Sequence, residues 1–138
     1  MQRLKWLFPG FLLCMIMLIL AGCSDTKPSW TSFEGALNEK NFPVPKEANK
    51  TDRTADNPEM DYVRYALPGI KENQDIPEVY LNEIAAWGWT EETKQSTPSK
   101  RVFIKDRKMV QLSVHDGFFT ILVPKQQKAA ADTSLDIN

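Results

Sequence analysis

The sequence is poor in the residue types that form reactive or metal-binding sites. Its 138 residues include one histidine and two cysteines. This supply excludes the common zinc motifs and leaves oxygen ligands, which favour calcium at best. The acidic residues that lie closest together lack the spacing and the glycine of an EF-hand loop; they are Asp52, Asp56, Glu59 and Asp61. We therefore expect no metal and no cofactor.

The chain also lacks a strong excess of charge of one sign. Lysine and arginine total 17, aspartate and glutamate total 18, and the net charge is −1. A protein whose main partner is nucleic acid needs a basic face that neutralises phosphates. We therefore expect no nucleic-acid partner. Positive charge is concentrated only in one short stretch, which contains Lys100, Arg101, Lys105, Arg107 and Lys108.

Long apolar stretches are scarce as well, and the main one lies near the start of the chain. It extends from Phe11 to Ala21, about half of the roughly 20 residues that a membrane-spanning helix requires. Arg3 and Lys5 precede it, and Ala21 and Gly22 are small. A basic start, a short apolar stretch and small residues at its end are typical of a cleaved secretory signal peptide.

The end of this stretch, Leu20-Ala21-Gly22-Cys23, resembles the lipobox of bacterial lipoproteins. The resemblance implies cleavage between Gly22 and Cys23, lipidation of Cys23, and the membrane as a partner bound through that anchor. The alternative, an uncleaved anchor helix, does not explain a cysteine at this position. Ser24 after the cysteine resembles the class that is carried to the outer membrane in cells with two membranes. Cys14 would leave with the signal peptide, so no disulfide would stabilise the mature domain.

Composition divides the rest of the chain. We assign residues 1–22 to the signal peptide, 23–41 to the lipidated cysteine and a tether, 42–124 to a small domain, and 125–138 to a flexible tail. Within the tether, three apolar residues at helical spacing predict a single turn docked on the domain; they are Trp30, Phe33 and Leu37. The prolines after Phe42 predict extended chain, and the polar stretch from Asn49 to Asn57 predicts a loop.

A strand and a helix are predicted next. Apolar and polar residues alternate from Met60 to Leu67, which is typical of a half-buried strand. Asp75 and Glu78 have the spacing of a helix-capping pair. Apolar residues then recur at helical spacing. The Gly88-Trp89 pair predicts a Schellman end, with the glycine in the left-handed conformation.

The remaining apolar segments predict a β-meander. Asp116-Gly117 is a strong signal for a two-residue hairpin turn, which places Leu112 opposite Ile121. For the preceding turn we prefer a three-residue loop at 106–108, because it places Val102 opposite Leu112 and keeps one face apolar. This register leaves two aromatic residues on the open face, Phe103 and Phe118. The polar residues predicted on that face include Arg64, Arg101, Ser113 and Thr120.

This order of elements predicts an α+β domain of two layers, with one main helix packed on an antiparallel sheet of about four strands. The pattern over residues 42–124 resembles small bacterial lipoproteins of unassigned function. The resemblance depends on three short sequences, Pro43-Val44-Pro45, Tyr80-Leu81 and Gly88-Trp89. It implies a similar domain and brings no catalytic residue with it.

These features together predict a non-enzymatic binding or scaffolding module of the cell envelope. It would be anchored by lipid on the extracytoplasmic face of a membrane, with an envelope protein as a candidate partner. The candidate binding surface consists of Phe103, Phe118, Lys105, Arg107 and Lys108.

Two alternatives stay open. One is an envelope hydrolase that uses His115, since Ser113 and Asp116 lie beside it in the chain. Residues two apart on a strand are about 6.5 Å from each other, however, and adjacent residues point to opposite faces. The nucleophile elbow and the phosphate-binding loop are missing too. The other alternative is binding of an anionic surface through the hairpin from Lys100 to Lys108.

Overall fold

A computed structural model describes residues 27–52 and 57–126 of the protein. Its strands and helices follow one another along the chain as β1 Phe33–Gly35, β2 Pro43–Pro45, β3 Asn49–Asp52, β4 Met60–Ala66, α1 Glu78–Ala86, β5 Thr90–Glu91, a short 3-10 helix Thr93–Gln95, β6 Lys100–Lys105, β7 Lys108–His115 and β8 Phe118–Pro124.

The fold is mostly β, and the prediction of one helix on a sheet of about four strands was wrong. The described residues form two antiparallel sheets, a pair β1-β2 and a six-stranded sheet in the order β3-β4-β8-β7-β6-β5. The additional strands are short and lie at sheet edges or in the separate pair. Asn49–Asp52, predicted as loop, becomes β3 because it pairs with β4. Pairing partners, and not local composition, make such polar segments extended.

The core lies on one face of the six-stranded sheet. The inward residues of its central strands are buried, among them Tyr65, Leu112 and Phe119. They pack in one cluster with Tyr80 and Ile84 of α1 and with the buried residues of the β1-β2 region. The helix and the small sheet thus cover the same face.

Helix α1 starts differently from the prediction and ends as predicted. Pro77 is the residue before its first turn, and no side chain caps that end, so the Asp75–Glu78 capping prediction was wrong. At the other end Gly88 has φ +91°. The Gly88 N–H donates to Ala85 O at 2.9 Å and the Trp89 N–H donates to Ile84 O at 3.2 Å. These two hydrogen bonds are the Schellman motif.

The β7-β8 hairpin is confirmed in both turn and register. Two residues, Asp116 and Gly117, connect the strands, and Leu112 lies opposite Ile121. Gly117 has φ +79°, which glycine adopts without a steric penalty.

The β6-β7 register was predicted wrongly. Two residues form the turn, Asp106 with φ 48° and Arg107 with φ 69°. Positive φ at both positions is the type I′ conformation, whose twist matches that of the strands. Val102 therefore lies opposite Gln111, and Phe103 opposite Val110. A shift of one residue reverses the face of every side chain on the strand.

Phe103 shows the result of this reversal. It points into the core, is 2% exposed, and lies 5.7 Å from Phe42 between ring centroids. The prediction that Phe103 belongs to an open binding surface was therefore wrong. Ile104 takes the outward position and is 37% exposed.

The segment around Trp30 is docked as predicted, but it is not helical. Phe33 belongs to β1. Trp30 and Phe33 stack on Tyr80 at centroid distances of 5.1 Å and 5.7 Å. Part of the stretch 23–41 thus packs against α1.

The register of β6 can be tested by truncating neighbouring side chains. Phe103→Ala should lower the free energy of unfolding by about 3–5 kcal/mol, because it empties a buried aromatic position. Ile104→Ala should lower it by less than about 1 kcal/mol, because that side chain is partly exposed. Urea unfolding at neutral pH measures both. A larger loss for Ile104→Ala would contradict the observed register.

Candidate functional site

The residues predicted for lipidation and cleavage, Cys23 and Gly22, lie outside the described residues, as does the whole signal peptide. The described chain starts at Lys27. No helix in the described ranges has the length and apolar character needed to cross a membrane. In the same ranges, no group of three or more histidine, cysteine, aspartate or glutamate residues could hold a metal ion.

The predicted binding surface is not assembled in the structure. Phe103 points into the core, whereas Phe118 is half-buried on the opposite face of the sheet. Phe118 also lies next to the β7-β8 turn, while Lys105, Arg107 and Lys108 lie at the β6-β7 turn. Consecutive hairpin turns lie at opposite ends of a sheet, so the length of β7, roughly 24 Å, separates the two groups.

Three of the five cations in the hairpin from Lys100 to Lys108 contact acceptors within the protein. Lys105 Nζ donates to Trp87 O at 2.7 Å, at the carboxyl end of α1, where a positive charge is favourable. Lys108 Nζ lies 3.2 Å from Glu39 Oε2. Arg101 Nη1 lies 2.9 Å from Glu91 Oε1. Two of the five cations in this stretch thus form ion pairs, and a third binds a backbone carbonyl.

His115 has structural neighbours that differ from those of a catalytic triad. Its ring stacks on Phe118 with centroids 4.6 Å apart, and its Nδ1 lies 3.9 Å from Glu72 Oε2. Asp116 Oδ1 accepts a hydrogen bond from the Glu72 N–H at 3.0 Å. Ser113 Oγ is hydrogen-bonded to Gln111 Nε2 at 3.2 Å. In the described part of the chain, no hydrogen bond links Ser113, His115 and Asp116.

The sheet face opposite to the core carries a row of polar side chains that crosses four strands. Arg64 lies opposite Thr120, Thr120 opposite Ser113, and Ser113 opposite Lys100. Residues directly opposite each other in antiparallel strands point to the same face. We call these four residues the polar row. Its cations are Arg64 and Lys100. Thr120 between them is only 3% exposed, and Asp52 of β3 lies opposite Arg64 on the other side.

Arg64 is held over the ring of Phe118. Its Cζ lies 3.7 Å from the centroid of the Phe118 ring, a cation–π contact. Its Nε is buried and has no hydrogen-bond partner.

The sequence pattern located this row only in part. Alternation placed Arg64, Ser113 and Thr120 on outward positions, which the structure confirms. The wrong β6 register placed Arg101 on that face, whereas Lys100 occupies it. The row also depends on the order β4-β8-β7-β6, and no local signal in the sequence specifies that β4 pairs with β8.

A second arrangement fixes the point where the chain enters the fold. The Glu47 carboxylate accepts hydrogen bonds from the Ser29 N–H at 2.9 Å and the Trp30 N–H at 3.0 Å. The Ser29 hydroxyl adds a third at 3.2 Å. Trp30 has φ 52°, a conformation that turns successive N–H groups towards one anion. We call this arrangement the Glu47 clamp. No feature of the polar sequence around Glu47 indicated it.

The clamp adjoins a groove of about 410 Å³ near the start of α1. Lys27 and Trp30 line one side, and the 69–77 loop and Val114 line the other. Val114 is next to the last residue of β7. The chain therefore leaves the fold at the end of the sheet where the β7-β8 turn lies, away from Arg107.

The Glu47 clamp should contribute stability that depends on pH. Partial burial tends to raise the pKa of Glu47, but the hydrogen bonds from Trp30 and Ser29 outweigh it and lower the pKa below its ordinary value. A lowered folded-state pKa stabilises the protein above the unfolded-state pKa, about 4.3 for glutamate. This contribution is lost as the pH falls through the folded-state value. Glu47→Gln should thus lower the free energy of unfolding at pH 7 and not at low pH.

Urea unfolding at several pH values measures this difference. Glu34→Gln is the control, since Glu34 has no hydrogen bond or ion pair in the described structure. An equal effect of Glu47→Gln at all pH values would contradict the clamp.

No protein-family model, curated protein or solved structure matches this chain.

Proposed function

We propose that the protein is a lipid-anchored domain of the extracytoplasmic cell envelope that acts by binding, without catalysis. The observation that carries the proposal is the sequence Leu20-Ala21-Gly22-Cys23 directly after a short apolar stretch. Lipid attachment at Cys23 supplies the anchor. Two acyl chains give stable membrane residence, whereas a single chain is marginal.

The Glu47 clamp supports a short connection between anchor and domain. Six residues lie between Cys23 and Trp30, which makes seven steps along the chain, and each extended step spans at most about 3.6 Å. The lipid is therefore within about 25 Å of the clamped residue. The domain stays close to the membrane surface, with the β7-β8 end of its sheet nearest the anchor.

This placement favours a binding role over anionic-surface binding by the Lys100–Lys108 hairpin. The β6-β7 turn lies at the opposite end of β7 from the exit of the chain. Three cations of that hairpin already bind Trp87, Glu39 and Glu91. That hairpin therefore has few cations left for an anionic surface.

Replacing each cysteine separately tests the anchor. Cys23→Ala should abolish incorporation of labelled fatty acid and move the protein from the membrane fraction to the soluble fraction. Cys14→Ala is the matched control, because it also removes one thiol but leaves the lipobox intact. Labelling, fractionation and intact-mass measurement give the result. A Cys23→Ala protein that still carries lipid, or a Cys14→Ala protein that loses it, would refute the proposal.

A further inference from the structure

We propose that the groove beside the Glu47 clamp binds the headgroup of a membrane phospholipid that carries both a phosphate and an ammonium group. We call it the entry groove; one wall contains Lys27, Pro28 and Trp30, and the other contains the 69–77 loop and Val114. This inference deepens the proposed binding role and rests on it, because lipid attachment at Cys23 is what brings the groove to a membrane.

The first wall of the entry groove is fixed in place. The Glu47 carboxylate accepts hydrogen bonds from the Ser29 and Trp30 N–H groups. The Trp30 ring stacks on Tyr80 with centroids 5.1 Å apart, so the side chain that lines the groove is held by α1. A rigid wall of this kind loses little entropy when a ligand binds.

The second wall is fixed by the β7-β8 turn. The Gly117 N–H donates to Ile70 O at 2.9 Å, and Asp116 Oδ1 accepts a hydrogen bond from the Glu72 N–H at 3.0 Å. Both bonds join the 69–77 loop to a hairpin that is distant in sequence. The groove is therefore formed before any ligand binds, as is usual for small-molecule sites.

The entry groove carries charges of both signs. Lys27 lies on the first wall, Lys71 and Asp75 lie on the second, and all three are exposed. Lysine binds a phosphate through charge-assisted hydrogen bonds. An ammonium group is attracted by a carboxylate and by the face of a tryptophan ring, which Asp75 and Trp30 supply. This combination is complementary to a headgroup that carries both charges.

Further acidic side chains beside the groove disfavour a ligand with negative charge only. Glu72 belongs to the 69–77 loop, and Asp116 is bonded to the backbone of that loop. Both side chains are exposed, and like charges nearby raise the cost of binding an anion. The ammonium group of the proposed headgroup offsets this repulsion.

The apolar part of the groove is suited to the glycerol end of a phospholipid. Pro28, Trp30 and Pro77 line the groove and are half-buried. Ile70 and Val114 are almost fully buried and lie beneath them. The volume of about 410 Å³ is within the range of small-molecule pockets, roughly 300–1,000 Å³.

The position of the anchor selects a membrane lipid as the occupant. Lys27 lines the groove and lies four steps after Cys23, so the attached lipid is within about 14 Å of this wall. Tryptophan and lysine are both typical of the membrane–water interface. The acyl chains on Cys23 carry neither a phosphate nor an ammonium group, so a neighbouring phospholipid fits the charges and the anchor itself does not.

Phospholipids with brominated acyl chains, which quench tryptophan emission on contact, are the probe. The lipidated protein is reconstituted into nanodiscs with equal fractions of brominated phosphatidylethanolamine or brominated phosphatidylglycerol, which lacks the ammonium group. The contribution of Trp30 is the emission lost in Trp30→Phe. Phosphatidylethanolamine should quench Trp30 more strongly than phosphatidylglycerol does. Trp87, beyond the other end of the nine-residue helix α1 and thus about 14 Å away along it, should be quenched by neither.

Variants of the charged groups test the recognition. Lys71→Gln and Asp75→Asn should each raise the fraction of phosphatidylethanolamine needed for half-maximal quenching roughly threefold, as expected for the loss of one exposed ion pair. No side chain caps α1, so Asp75→Asn leaves the helix intact. Arg107→Gln and Asp106→Asn are the matched controls, because they make the same changes of charge at the β6-β7 turn and should leave quenching unchanged.

Three results would overturn the proposal. These are Trp30 emission that no lipid quenches, equal quenching by the two lipids, and equal effects of the groove variants and their controls. Failure of the anchor is distinguishable from all three. A protein without lipid at Cys23 is identified by its intact mass and refutes the proposed function, whereas a lipidated protein with unquenched Trp30 refutes only the groove.

Discussion

The side chain of Tyr80 connects three parts of the fold that are distant in sequence. Its ring is 1% exposed and stacks on Trp30 and Phe33, and its hydroxyl donates to Pro43 O at 2.9 Å. Burial, with a contribution from Tyr65, raises the pKa of Tyr80, so the hydroxyl remains a donor at physiological pH. A two-stranded sheet is marginal by itself. The β1-β2 pair and the entry of the chain are therefore both stabilised by this one helical residue, together with the Glu47 clamp.

The two faces of the large sheet differ in how they use charge. On the core side, Lys105 and Lys108 end at acceptors within the protein, and these contacts tie the β6-β7 turn to α1 and to Glu39. On the open side, Arg64 lies over the Phe118 ring and opposite Asp52 of β3. Arg64 is therefore also positioned by neighbours within the fold.

Signals that depend on a few neighbouring residues predicted the structure well. Asp116-Gly117 specified a hairpin and its register, and Gly88 specified the end of α1, because each depends on the conformational freedom of glycine within a few bonds. The Asp106-Arg107 turn lacks glycine, and its register was set instead by burial of Phe103 against Phe42. The start of α1 was also predicted wrongly, since Pro77 takes the capping position and no side chain caps that end. Three of the four polar-row positions were therefore predicted, and Lys100 was not.

The sequence by itself determined the hairpin turn, the helix end, the outward positions of β4 and the lipobox from which the anchor is proposed. Each of these depends on local chemistry. Only the tertiary structure decided the six-stranded order, the edge strands, the placement of Phe103 in the core and the Glu47 clamp. These features require residues far apart in the chain to meet. The local sequence is compatible with several strand pairings, and burial of the shared core favours one of them. The polar row belongs to this second group, because its four residues come from four strands that are neighbours only in the folded sheet.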